Sequence, residues 1–401
     1  MSADQQTPVS LGGAKEMLRD LGRKLAQGEA GPLLVLLMVG LIWTFFQYQN
    51  PRFLSPGNLT NLMLQQAAVA TISIGVVLIL LLGEIDLSVG AVSGFSSSVM
   101  AVMNVQRGYS PILAVGAALG LGMLIGLFYG FMVTRFRIPS FVVTLAGSLA
   151  LLGLQLYVLG QTGTINLNND FIIGMAGTFF SPAIGWIVAG VSIASIFAFS
   201  VVGRARRHAS GLHVGSMRGL VFRVAAVGAA VLALVYVVNQ DRGLPLVVCI
   251  VFALALVFSY LTERTRFGRH IFAVGGNDEA ARRGGIKIDN VRVLVFMLGS
   301  TLAAMGGVLA ASRLMAVNQS SGGSDLLLMA IAGPVIAGTS LFGGRGSVWS
   351  ALLGALVIGS IANGMNLLAF ESSVKYIVTG TVLIAAVTIE AVTRMKRQSS
   401  R

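Results

Sequence analysis

The sequence predicts an all-α polytopic membrane protein of about twelve transmembrane helices, with both termini cytoplasmic. Three observations carry that prediction. Apolar residues make up 55% of the chain and charged residues only 11%, whereas soluble globular chains are roughly a quarter charged. The apolar residues gather into twelve segments, near 32–49, 63–82, 88–105, 111–134, 139–160, 180–202, 222–239, 245–262, 291–311, 326–341, 348–367 and 374–391. Several of these reach the ~20 residues that a helix needs to cross hydrocarbon. Finally, all but five of the 28 Lys and Arg residues fall in stretches that would share a side with the N-terminus. That positive-inside bias sets the orientation.

The chain then divides into a cytoplasmic N-terminal segment 1–31, a transmembrane body 32–391 and a cytoplasmic basic tail 392–401. No cleavable leader is expected, because Met1–Ala30 is polar and basic and the first apolar run leads straight into more protein. The formal charge of +13 is a topology signal and an attraction to anionic lipid head groups. It does not point to nucleic acid, since no aromatic-basic platform accompanies it.

Catalytic signatures are missing. No Gly-x-x-x-x-Gly-Lys-Ser/Thr loop occurs, and none of the five lysines follows a glycine, so the chain has no phosphate-cradling P-loop. His-Glu-x-x-His, paired-cysteine and Gly-x-Ser-x-Gly patterns are also absent. Cys249 is the single cysteine, and His208, His213 and His270 sit in Arg-rich loops. Neither a metal site nor a cofactor is expected. If the chain moves a solute actively, the energy must come from a partner or an ion gradient.

Glycine is abundant, at 50 of 401 residues, and Gly116, Gly120, Gly122, Gly126 and Gly130 recur at helical spacing. In lipid such stripes let helices approach closely. Two interruptions look alike: Leu82-Gly83-Glu84-Ile85-Asp86-Leu87-Ser88 after the second segment, and Gly338-Thr339-Ser340-Leu341-Phe342-Gly343-Gly344-Arg345-Gly346 after the tenth. Paired broken hairpins suggest an internal repeat.

The loop 263–292 holds the clearest local design. Asn277 suits an N-cap, Asp278 and Glu279 the positive first turn, and Arg282 and Arg283 the last turn. Gly284 or Gly285 supplies a left-handed stop after Ala280 and Ala281. A helix of about two turns is marginal alone, so it packs against a docked partner or against the protein's own helix ends. Glu84 and Asp86 are carboxylates near membrane depth and default to functional hypotheses: helix capping, an ion pair with Arg135 or Arg137, or proton coupling. Gln65, Gln66, Gln155, Asn363 and Asn366 are amides in or near apolar runs, suited to interhelical hydrogen bonds or to a path that offers partners to hydroxyls. On the outer side, Arg52, Arg107, Arg313 and Lys375 could meet acidic groups of a docking protein.

These residues resemble the permeases of the ribose/xylose class of bacterial ABC importers. The resemblance rests on Asn58–Leu62, Glu84–Gly90, Pro139–Gly147, Arg266–Arg269, Gly275–Ile286, Gly338–Leu341 and Asn363–Leu368, in that order along most of the chain. Glu84, and the extra pair of segments around 180–239, look like the xylose-type subgroup. One departure is Leu327-Leu328-Met329 before Ala330-Ile331-Ala332, where the family often has Glu-Leu-Asp; it leaves the exact sugar open. The resemblance implies an inner-membrane homodimer that gives a monosaccharide, xylose or a similar pentose, an alternating-access path. An ATPase with two fused nucleotide-binding halves, which holds the ATP and Mg, would lie below. A periplasmic or lipoprotein sugar-binding protein would lie above. Asn277–Gly284 would be the coupling helix, so Ala281→Trp is expected to block docking. Glu84→Gln is expected to preserve some transport if the residue only caps. The rival readings are a proton-coupled sugar symporter of the major facilitator type and a subunit that only scaffolds or senses.

Overall fold

The computed structural model describes residues 31–161, 163–211 and 217–398. The N-terminal segment 1–31 (save its last residue), His213 and the last three residues of the basic tail lie outside the described residues.

All twelve apolar segments are helical. They form α1 (Gly31–Gln49), α2 (Pro56–Leu81), α3 (Val89–Ala101, continued by a π turn Val102–Gln106), α4 (Pro111–Arg135) and α5 (Ser140–Leu159). After strand β1 (Thr164–Asn166), helix α6 (Asp170–Gly177) and strand β2 (Phe179–Phe180) come α7 (Pro182–Ala209) and α8 (Met217–Asn239). Strand β3 (Leu244–Pro245) leads into α9 (Leu246–Arg264), then α10 (Arg266–Gly276) and α11 (Asp278–Arg283). The last third holds α12 (Ile288–Leu314), β4 (Ala316–Asn318), α13 (Ser324–Ile336), α14 (Trp349–Leu367) and α15 (Ser372–Gln398). Among the described residues, eight helices are long and apolar enough to cross a membrane. Helix α13 has only 13 residues, a length of about 20 Å, because Pro334 sits in its last turn and Gly338 then turns left-handed at φ 93°.

The strands and the helices α6 and α10 are absent from the sequence reading. β1 pairs antiparallel with β4, Ile165 opposite Val317, and β2 pairs with β3. Both ribbons tie loops at one end of the bundle.

Helix α2 is the central element, with 89% of its most apolar stretch buried. A helix apolar on every side is the form expected of one enclosed by others. It lies antiparallel to α12: a Cβ on Gly75 would meet the Gly299 carbonyl oxygen at 2.7 Å, and one on Gly306 the Ala68 carbonyl oxygen at 3.0 Å. Helix α4 covers the next face of α12. A Cβ on Gly122 would meet Ser300 O at 2.7 Å, one on Gly126 would overlap Phe296 O, and one on Gly130 would meet Val293 Cα at 2.6 Å. The predicted glycine stripe therefore divides. Gly122, Gly126 and Gly130 bring two backbones together, while Gly116 and Gly120 face open space.

The two ends of the bundle follow from this packing. The start of α2, the start of α4 and the end of α12 share one end; the end of α2, the start of α12 and α11 share the other.

A paired substitution tests the division of the stripe. Gly126→Ala should lose about 1–3 kcal/mol through overpacking, seen as a lower melting midpoint of the purified protein in detergent. Gly120→Ala should melt at or above the wild-type midpoint.

Candidate functional site

The α11 end gathers three chain segments that the sequence separates widely. The first is the turn Leu82–Ser88 between α2 and α3. Gly83 adopts φ 78°, which breaks the helix and leaves the following backbone donors in need of partners. Ile85 N–H donates to Ser140 Oγ (3.2 Å) and Leu87 N–H to Thr144 Oγ1 (3.1 Å). Ser140 and Thr144 lie one turn apart in α5, so the Pro139–Gly147 run serves the Glu84–Gly90 run directly.

The two carboxylates of this turn have different tasks. Asp86 is buried, and its Oδ1 accepts from Ser88 N–H (2.7 Å) and Ser88 Oγ (2.6 Å), shaping the entry to α3. Its Oδ2 is buried without a partner. Burial pushes the Asp86 carboxyl up from the usual carboxylate value, against the pull of the Ser88 bonds. Glu84 instead reaches Arg292 in the second turn of α12, Oε1 to Nε 2.9 Å, with only 21% and 15% of the Arg292 and Glu84 side chains exposed. The Nε–H is not aimed at that oxygen, so the contact is an ion pair rather than a hydrogen bond. The expected partners, Arg135 and Arg137, are replaced by Arg292, and neither carboxylate caps α3, whose first turn has no side-chain cap; Asp86 fixes only the Ser88 turn.

The second segment is α10–α11. Thr265 Oγ1 accepts from Gly268 N–H (3.2 Å) and starts α10, so the Arg266–Arg269 run occupies its first turn. Asn277 Oδ1 accepts from Ala280 N–H (2.9 Å) and caps α11. The left-handed stop is Gly285, at φ 80°, not Gly284. Glu279 and Arg283 form an exposed i,i+4 pair (3.2 Å). Asp278 Oδ2 accepts from Arg292 Nη2 (2.5 Å), so one guanidinium bridges α11 and the Glu84 turn. Ala281 is 5% exposed and packs into the main core. The outward residues are Glu279, Ala280, Arg282, Arg283 and Gly284. A Trp at position 281 would thus disturb the body beneath α11 rather than a partner above it.

The third segment is the turn after α13. Gly343 and Gly344 adopt φ 83° and 70°, and Gly344 N–H donates to Leu81 O (2.9 Å). Ser340 N–H donates to the Arg345 carbonyl oxygen (3.0 Å), and the Thr339 and Ser350 hydroxyls lie 2.5 Å apart. The two look-alike interruptions of the sequence thus meet in space, at the foot of α11.

The five amides do not converge on one cavity among the described residues. Asn363 forms a reciprocal amide pair with Asn58 (2.8 and 3.1 Å) at the far end of α2. Gln66 lies over Gly359, one turn before Asn363 in α14, and Gln65 beside it is half-buried. Gln155 is fully buried and its Nε2 donates to Asn318 O and Ser321 O, both 3.0 Å, while its Oε1 lacks a partner. Asn366 is exposed at the end of α14. Arg52, Arg107 and Arg313 are exposed and Lys375 half-buried, all at the end opposite α11. Arg242, at that same end, is already engaged: it pairs with Asp241 (3.0 Å), donates to Asn61 Oδ1 (2.8 Å) and covers the Phe179 ring (4.5 Å).

Arg292 is the residue that sequence reasoning missed. It counted there only as one positive charge on the inner side, because its partner Glu84 lies in the other half of the chain.

Eight membrane-length helices, with two broken turns meeting beneath a short outward-facing helix, fit a membrane permease. The family described as "Branched-chain amino acid transport system / permease component" matches residues 58–387, and the chain belongs to that permease family. Among its relatives, the "Xylose transport system permease protein XylH" of Escherichia coli K12 is 34% identical over 90% of this chain and 91% of its own length. The protein of the same name from Haemophilus influenzae is 32% identical over 90% and 96%. The "Ribose import permease protein RbsC" of Escherichia coli K12 is 28% identical over 89% and 91%. No solved structure matches the chain.

The two carboxylates of the turn should separate on substitution. Asp86→Asn keeps an acceptor for Ser88, so it should melt close to wild type. Asp86→Ala strands the buried Ser88 donors at a cost of about 1–3 kcal/mol, measured as a lower melting midpoint in detergent.

Proposed function

We propose that this chain is the membrane-spanning subunit of an ATP-driven sugar importer, offering an alternating-access path to a monosaccharide, D-xylose or a related pentose. The observation that carries the reading is α11: a capped helix with an outward face of Glu279, Ala280, Arg282 and Arg283, at one end of a permease of this family. Such a face suits a groove in a cytoplasmic ATPase with two fused nucleotide-binding halves, which holds the ATP and Mg. Two copies of the chain form the path.

A binding protein outside the cytoplasm delivers the sugar to the opposite end, where Arg52, Arg107, Arg313 and Lys375 offer positive charge to acidic groups. Both termini are cytoplasmic. The xylose assignment leans on the relatives at 34% and 32% identity, which carry xylose transport in their names. The inserted pair α7–α8 follows the same subgroup. Gln65, Gln66 and Gln155, the last two with an unpartnered Oε1, are amides left to meet sugar hydroxyls, since Asn363 is spent on Asn58.

The test is ATP hydrolysis and sugar uptake by the permease–ATPase complex in nanodiscs and vesicles, with the binding protein and a panel of monosaccharides. Stimulation by xylose with its binding protein supports the reading. Uptake that persists without ATP and collapses with an uncoupler would overturn it in favour of a proton-coupled symporter. Ala280→Trp, placed on the outward face, should abolish ATPase co-purification and reduce uptake at least about tenfold while leaving the amount of inserted protein unchanged.

A further inference from the structure

We propose that Arg292, together with a backbone-to-backbone contact at Gly83, Gly275 and Gly343, makes a joint that moves both broken hairpins as one body with α11. The inference rests on the reading of α11 as the docking helix and adds the residues that carry its displacement inward. Covalently, α11 is joined only to α10 and α12. Neither connection leads to the end of α2 or to the turn after α13, which are the elements the joint adds.

Two independent observations support the joint. The first is the bridge: Arg292 Nε lies 2.9 Å from Glu84 and Nη2 lies 2.5 Å from Asp278, with the guanidinium largely shielded. Glu84 belongs to the α2–α3 turn and Asp278 to α11, so one guanidinium, ion-paired with the first and hydrogen-bonded to the second, holds two segments at once. A lysine ammonium is a single point charge and cannot span the two carboxylates in this way.

The second is the absence of room. A Cβ on Gly275 would overlap the Leu81 carbonyl oxygen and come within 2.7 Å of Gly344 N. A Cβ on Gly343 would lie 2.6 Å from Gly275 O and 2.8 Å from Gly83 N. Three segments thus touch through main chain, with Gly344 N–H bonded to Leu81 O, and no flexible side chain lies between them to absorb a shift. Packed contacts of this kind transmit displacement instead of damping it.

Arg292 and Gly275 are positioning residues, and their test needs readouts that general stability does not move. Hydrogen exchange of the permease alone in nanodiscs is the first. Arg292→Lys and Gly275→Ala should each raise exchange at both 82–88 and 338–346 by about tenfold or more, with α4 and the far end of α2 unchanged. Gly276→Ala, whose Cβ would face open space, should match wild type. Coupling is the second readout. In the reconstituted complex the Arg292→Lys protein should still bind the ATPase and hydrolyse ATP, yet move at least about five-fold less sugar per ATP. Glu84→Gln breaks the same bridge without adding volume and serves if Gly275→Ala does not fold.

Exchange that rises only within 277–292, or an unchanged sugar-to-ATP ratio for Arg292→Lys, overturns the joint. Failure of the wild-type chain to bind any ATPase would count against the proposed function instead, and the exchange result on the chain alone would still decide the joint.

Discussion

A peptide group inside a bilayer has no water to turn to, and each one left unpaired costs several kcal/mol. Regular helices meet that constraint by themselves; a chain that breaks a helix near membrane depth must supply other partners. This protein breaks helices twice, after α2 and after α13, and the rest of the structure is arranged around the repair. Ser140 and Thr144 accept the donors of the first turn, Leu81 O accepts a donor from the second, and glycines let the main chains come close enough for these bonds. The broken turns are tolerated because protein groups accept the donors they free.

The same need for close approach explains the centre of the bundle. Lipid tails are as apolar as leucine side chains, so helix association in a membrane depends on contact area rather than on escape from water. Gly75, Gly306, Gly122 and Gly126 convert that requirement into main-chain contact along α12. An antiparallel pair, α2 and α12, then forms a rigid spine on which α3 and α4 lean.

Much of this was legible in the sequence, and the exceptions have a common cause. Twelve apolar runs became twelve helices because length and hydropathy are local properties. The Asn277 cap and the charges of α11 were readable for the same reason. What escaped were relations between distant residues. Glu84 was matched to the nearest arginines along the chain, Arg135 and Arg137, whereas the fold brings Arg292. Ala281 looked like any other position of a short helix until its burial showed which face turns inward. β1 and β4 are three residues each, too short to carry a periodic signal, and they pair across seven intervening helices. The amides posed the opposite problem: their chemistry was plain, but only the fold separates Asn363, locked to Asn58, from Gln65.

The burial of α2 also sets an order of assembly. Its main partner, α12, leaves the ribosome only after some two hundred further residues, roughly 10–40 s later at the usual ~5–20 residues per second. For that interval the most enclosed helix of the finished protein must reside in lipid or beside the insertion machinery. From Ala67 to Leu81 its only polar side chains are Thr71 and Ser73, so most of its length can wait in hydrocarbon without presenting a polar face. The β1–β4 ribbon, whose second strand follows α12, closes later still. A lesion in α12 would therefore strand an early-made helix that has nowhere to go.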